Sequence, residues 1–324
     1  MTKELDSKDW KILYQLCTDA RLSHSKIGKL VGLSKNSVTY RIERLEKKGI
    51  ITGYFTIVNH MALGSQIYTV LLKLNVGKEK EAELIDYLKS NKNTMVVDKL
   101  LGEWDLLVEH GSHDPSGFNL FISELKAKFS GIIDTYEVHS TLDSYKVEQL
   151  PVELVKEVAL QTAEKTEKAV IDKTDSQLLV ELSKDSTATL FELAEKLGVT
   201  YETVSARIKK LRESKVIIKT TAKIGLGALG YDVYFIRLNL RNFSKEREGL
   251  LKAYLLMQKN IRYSFLSGFR PTIFIYLAVK KAAGLDSFLA SIKERFADII
   301  ISQNYMLATG LIKYNLFPEG FIAK

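Results

Sequence analysis

Residues 23–51, SHSKIGKLVGLSKNSVTYRIERLEKKGII, decide how this chain is read. Ile27, Leu30 and Val31 fall at i, i+3 and i+4, and Val38, Ile42 and Leu45 at i, i+4 and i+7, which gives two apolar stripes at helical spacing. Gly32-Leu33-Ser34 lies between them; glycine accepts the positive φ of a tight turn and Ser34 can cap the helix that follows. The spacing predicts a helix-turn-helix whose second helix, roughly Ser34 to Lys48, rests its apolar face on a small core. Its other faces carry Lys35, Asn36, Ser37, Thr39, Tyr40, Arg41 and Arg44, the kind of donors that reading a DNA major groove requires. Arg41, Arg44 and Lys35 are candidates for phosphate or guanine contacts, Asn36 for an adenine edge, and Ser34 and Thr39 for positioning on the backbone.

Two amphipathic helices around a glycine turn also occur in domains that touch no nucleic acid, so charge and repetition must carry the rest. From Lys3 to Lys48 there are 11 Lys/Arg against 6 Asp/Glu, and the 324-residue chain has a formal net charge of +8, which suits a polyanionic partner. Cys17, the single cysteine, sits among Ile12, Leu13 and Leu16 as a small core residue and excludes an intrachain disulfide framework. The start, MTKELDSKDW, lacks the apolar stretch of a secretion signal, and no apolar run approaches the roughly 20 residues of a membrane span. The expectation is a soluble, cytoplasmic protein with no membrane partner.

A shift of 166 positions lays the second half on the first. Asp6, Asp9, Leu13, Leu16 and Asp19 fall on Asp172, Asp175, Leu179, Leu182 and Asp185, and Gly32, Val38, Arg41, Ile42, Leu45 and Ile51 on Gly198, Val204, Arg207, Ile208, Leu211 and Ile217. Leu63-Gly64, Tyr68 and Gly102 find Leu229-Gly230, Tyr234 and Gly268. We read a tandem repeat of one two-part unit. After each helix-turn-helix the pattern runs strand, helix, strand, strand, helix, strand, so the expected class is α+β: two copies of a winged helix-turn-helix domain, each followed by a ferredoxin-like βαββαβ domain. The boundaries read 1–58, 59–148, a linker at 149–169 that is either partly helical or a mobile charged spacer, 170–224 and 225–324. A sheet with helices on one side leaves its other face bare, and that face is expected to pack on the second copy.

The stretch from Leu5 to Ile51 resembles the N-terminal domain of the Lrp/AsnC (feast/famine) transcription regulators, in Asp6-x-x-Asp9, Asp19-x-Arg21 and Arg41-Ile42-x-Arg44-Leu45-Glu46. The βαββαβ portion is similar to that family's effector-binding domain, with Gly102-Glu103-Trp104-Asp105 at its turn between the middle strands. The resemblance implies a homo-oligomeric regulator of double-stranded DNA that self-associates through its effector domains and binds a small ligand, commonly an amino acid. It makes Gly102, Glu103, Trp104 and Asp105 candidate effector contacts; a plain hairpin turn and packing for Trp104 are the bland alternatives.

The copies are unequal. Lys35 and Asn36 become Tyr201 and Glu202, Asp105 becomes Pro271, and from Asp172 to Lys219 there are 9 Lys/Arg against 8 Asp/Glu. Thr200, Tyr201, Thr203, Ser205, Arg207 and Lys210 are the second copy's DNA candidates, and the first copy is expected to dominate affinity. His110, His113 and Asp114 lack a further ligand for a metal site, no nucleophile stands with a base, and no cofactor is expected. Two alternatives stay open: an enzyme like the siroheme decarboxylases, which this architecture also resembles, with His110, Arg262 and Arg270 in the matching strands, and a ligand sensor without DNA binding.

Overall fold

The computed structural model describes residues 5–75, 77–150, 168–241, 244–268 and 270–322; most of the expected linker falls outside them. The chain opens with α1 (Ser7–Thr18), α2 (His24–Val31), α3 (Lys35–Lys47) and β1 (Ile51–Val58). Asp6 caps α1 and closes a capping box with Asp9, Ser23 caps α2, Gly32 ends it at φ +68°, and Ser34 caps α3. Ile12, Leu13, Leu16 and Cys17 of α1 meet Ile27 and Val31 of α2 and Val38, Ile42 and Leu45 of α3 in one core.

The next six elements are β2 (Gln66–Leu74), α4 (Lys78–Ser90), β3 (Thr94–Leu101), β4 (Leu106–Ser112), α5 (Pro115–Phe129) and β5 (Ile133–Val147). The order then recurs. The second three-helix unit is α6 (Lys173–Lys184), α7 (Leu190–Leu197), α8 (Tyr201–Glu213) and β6 (Ile217–Ile224). It is followed by β7 (Asp232–Leu240), α9 (Lys245–Met257), β8 (Ile261–Ser267), β9 (Thr272–Val279), α10 (Ala282–Phe296) and β10 (Ile300–Tyr314).

Two sheets tie the halves together. β1 and β6 pair antiparallel in a two-stranded ribbon, with Phe55 opposite Thr221 and Thr56 opposite Thr220. The ribbon also carries crossed contacts: Ala20 N donates to Thr220 O at 3.1 Å, and Ser186 N to Tyr54 O at 3.2 Å, so each three-helix unit rests on the other's strand.

The eight remaining strands close a barrel in the order β10-β3-β4-β2-β5-β8-β9-β7. The bare faces of two separate sheets were expected to stack; instead the sheets also join at both edges. The cause is the length of β5 and β10, 15 residues each. Ile133 to Ser140 of β5 pairs with β2 and Thr141 to Val147 runs on to β8, while β10 passes in the same way from β7 to β3. One face of each strand packs under the helices, as Val97, Leu106 and Val108 do under α4 and α5. The other lines the barrel, where Leu71, Leu107, Phe235, Phe265, Phe274 and Met306 fill the end that holds Trp104.

Candidate nucleic-acid interface and interior cavity

Each outward side chain of α3 is set by its phase relative to Val38, Ile42 and Leu45, which are at most 4% exposed. Lys35, Asn36, Tyr40, Glu43 and Lys47 face out, and Tyr40 is 66% exposed. Ser34 accepts from Ser37 N at 3.2 Å and donates to Ser37 Oγ at 2.9 Å, which fixes the first turn. Thr39 donates to Lys35 O at 3.1 Å and meets His24 Nδ1 at 2.7 Å, so it braces α2 against α3. An exposed helix face with a lysine, an asparagine and a tyrosine in its first two turns can enter a major groove.

The two arginines expected to lead that contact are held elsewhere. Arg41 Nη1 lies 2.8 Å from Asp6 Oδ2 and 2.7 Å from Asp9 Oδ1, and Arg44 Nη2 lies 2.6 Å from Asp9 Oδ2. Asp9 is 1% exposed, so the arginines compensate a buried carboxylate and clamp α1 to α3. The Arg41 guanidinium also holds the Asp6 carboxyl below its usual range. In the second unit Arg207 meets Asp172 and Asp175 at 2.8 and 2.6 Å, and Lys210 meets Asp175 at 3.1 Å. The shared Asp-x-x-Asp and Arg-x-x-Arg/Lys spacing therefore makes an ion-paired clamp in both units.

The second unit's outward face is poorer. Thr200 caps α8 by accepting from Thr203 N at 3.2 Å, Tyr201 packs against Phe191 with tilted rings whose centroids lie 5.0 Å apart, and Ser205 is exposed. Glu202, Ala206, Lys209 and Glu213 make the ridge that Asn36, Tyr40, Glu43 and Lys47 make in the first. That ridge carries two acids and one lysine, a weak complement to phosphate.

The turn at residues 102–105 is occupied by the fold itself. Gly102 has φ +147°, and a Cβ there would stand 2.9 Å from Met306 Cγ. Glu103 accepts from Arg237 Nη2 at 3.2 Å, Trp104 is buried at 5% exposure in the barrel core, and Asp105 Oδ2 accepts from Leu74 N at 2.8 Å while Lys73 reaches its Oδ1 at 3.2 Å. These contacts shape the hairpin and leave little for a ligand's amino group.

The open space lies elsewhere, in a cavity of about 1020 Å³ between the mouth of the barrel and the ribbon. Ile57, Val58, Lys223 and Ile224 bound it on the ribbon side, and Asp98, Glu109, Arg262, Tyr263, Tyr276 and Tyr314 on the barrel side. Asp98 and Glu109 are 6% and 7% exposed. Burial pushes their carboxyls up, to about 6 and about 7, with Asp98 adding to the rise at Glu109. His60, another wall residue, is pushed down to about 4 by burial and bonds Leu316 O at 2.7 Å through Nε2. His110 is a core residue stacked on Phe121 with centroids 3.9 Å apart. Sequence reading missed Asp98 and Glu109, although a signal existed: in TMVVDKLL and LLVEHG each is an acid at an inward strand position among apolar neighbours.

A winged helix-turn-helix DNA-binding model matches residues 5–52, and an AsnC-type helix-turn-helix model matches residues 171–212, the copy whose recognition helix departs further. The leucine-responsive regulatory protein of Klebsiella pneumoniae is 30% identical over 138 residues, 41% of this chain and 82% of its own length. The transcriptional regulator Ptr1 of Methanocaldococcus jannaschii is 32% identical over 120 residues, 37% of this chain and 80% of its own length.

The chain belongs to the Lrp/AsnC family. It is a DNA-binding transcription regulator, and among the described residues no helix is long and apolar enough to cross a membrane. Unlike those relatives, which align with about two fifths of it, the crystal structure of the siroheme decarboxylase NirDL covers 96% of this chain and 94% of its own, with a TM-score of 0.65 and 13% identity. At that identity the likeness describes the fold.

Proposed function

We propose that this Lrp/AsnC chain is a sequence-specific regulator in which two helix-turn-helix units and two ferredoxin-like domains, arisen by tandem duplication, make an internally paired dimer. The observation that carries the reading is the β1–β6 ribbon, which fixes the two recognition helices relative to one another within one chain. The 166-residue shift and the matching strand order of the two barrel halves support the duplication. The first unit dominates affinity through Lys35, Asn36 and Tyr40, with Ser34, Ser37 and Thr39 placing the helix; the second, through Thr200, Tyr201, Thr203 and Ser205, reads a weaker half-site. A small ligand modulates binding from the cavity, whose wall includes the ribbon that spaces the readers. That ligand belongs in the cavity and not at Gly102 to Asp105, where Glu103 pairs with Arg237 and Asp105 with Lys73. Self-association through the barrel's outer surface and a cytoplasmic location complete the reading.

Genome-wide mapping of bound DNA, followed by binding assays on the recovered sites, tests it. Recovery of two unequal half-sites with a fixed spacing is expected; binding without sequence preference would end it. The second reading, an enzyme acting on a tetrapyrrole, draws on the fold shared with NirDL, which has been solved with an iron-uroporphyrin III analogue. Against it stand the two helix-turn-helix matches and the regulators to which the chain is similar. Release of carbon dioxide from siroheme by the purified chain would reverse the choice.

A further inference from the structure

We infer that the cavity between barrel and ribbon binds an amphipathic organic amine, its ammonium group held by Asp98 and Glu109 and its apolar body lying toward the ribbon. This deepens the ligand-modulated reading above and rests on its choice of the cavity. Asp98 on β3 and Glu109 on β4 are diagonal neighbours on the barrel's inner face, because Val96 is the residue opposite Glu109. Asp98 Oδ1 has no hydrogen-bond partner among the described residues, and its side chain is more than nine-tenths buried. A desolvated carboxylate oxygen without a partner is costly, and a second buried acid beside it adds to the cost. The cations among the described lining residues are Arg262, Lys223 and Lys168, and Arg262 Nη2 is turned to Gln149 Oε1 at 2.7 Å.

The barrel does not need these acids for packing. Glu109 lies opposite Thr69, and the 166-residue shift carries Thr69 to Phe235, whose partner is Tyr276; by the same route Asp98 corresponds to Phe265. The second half therefore builds the same two positions from aromatic rings. Tyr263, Tyr276 and Tyr314 line the cavity with the carboxylates, and aromatic faces beside acids are the surroundings that hold an ammonium group. Toward the ribbon the wall carries Ile57, Val58 and Ile224 beside Lys223. The volume exceeds what a small amine needs, which calls for a ligand with a substantial apolar body.

Calorimetric titration of the full chain, without DNA, with n-octylamine, octanoate and octanol separates head-group charge from chain burial. Octylamine is expected to bind saturably and at least tenfold more tightly than octanoate. The double variant Asp98→Asn, Glu109→Gln is expected to lose that preference, and Ala308→Trp, which adds bulk to the cavity wall and leaves both carboxyls in the sequence, to block all three probes. Octanoate binding as tightly as octylamine, no saturable octylamine binding, or a double variant that keeps the preference would overturn the inference. Saturable amine binding with no effect on DNA affinity would sink the regulatory reading alone.

Discussion

Arg41 Nη1 stands 2.7 Å from Asp9 Oδ1, and Arg207 Nη1 stands 2.6 Å from Asp175 Oδ1, the same clamp 166 residues later. Both carboxylates are at most 1% exposed, and each also accepts from the backbone N–H of its helix's N-cap residue, Asp6 or Asp172. Breaking such a pair leaves a buried charge short of its partner, at a cost of about 3–5 kcal/mol. Arg41→Ala is therefore expected to unfold the first three-helix unit at lower denaturant, which urea titration followed by circular dichroism measures. If stability were unchanged and the salt slope of DNA binding fell by about one, Arg41 would be a phosphate contact instead.

Lys35 and Asn36 separate affinity from specificity. Both are exposed at the start of α3, so neither change should move the melting temperature by more than a degree or two. Lys35→Ala is expected to weaken binding on every sequence and to flatten the salt slope by about one; Asn36→Ala is expected to relax preference at one base pair by about 1–3 kcal/mol. Glu202→Lys in the second unit should raise affinity for non-specific DNA. Filter binding across a salt series reads all three.

The helices were legible because their signals are local. Asp6, Ser23, Ser34 and Gly32 act within a few residues of their own position, and the stripe through Val38, Ile42 and Leu45 is the face that is buried. Arg41 and Arg44 were legible as cations but not as a clamp, since their partners lie 32 to 35 residues away on α1. The ribbon and the barrel closure depend on strands far apart in the chain, Phe55 with Thr221 and Ala308 with Leu100, and no periodicity within a strand encodes its partner. The cavity inherits that difficulty. Its wall is assembled from both halves, so Asp98 shows in sequence only as a charge out of place in an apolar strand.

Gly225 is the point where the ribbon meets the first unit. Its N donates to Ile50 O at 3.0 Å, and a Cβ would stand 2.2 Å from the carbonyl oxygen of Gly49. Backbone cannot rotate away as a side chain can, so Gly225→Ala should shift the ribbon and cost about 1–3 kcal/mol. Gly227→Ala, with nothing within 4 Å, is the matched control. The expected signature is a larger loss of affinity for a two-half-site duplex than for a single half-site, measured by mobility shift. Equal losses on both duplexes would mean that the ribbon does not set the spacing.

Glu109 makes stability depend on pH in a direction opposite to an ion-paired acid. Burial lifts its folded-state pKa to about 7, above the ordinary 4.5, so the folded chain binds this proton more tightly than the unfolded chain does. Its contribution is complete below pH 4.5 and is lost as pH rises toward 7, a change on the order of 3 kcal/mol. Asp98, lifted to about 6, adds with the same sign, while His60 and His110, held near 4, act oppositely below pH 6.5. The comparison must therefore be between the chain and Glu109→Gln at each pH. The variant is expected to gain stability over the parent at pH 8 and to lose most of that gain at pH 5. A gain that is the same at both would mean that Glu109 is solvated or already paired. A saturating amine that stabilises the parent more than the variant at pH 8 would show the buried charge being met by the ligand's own.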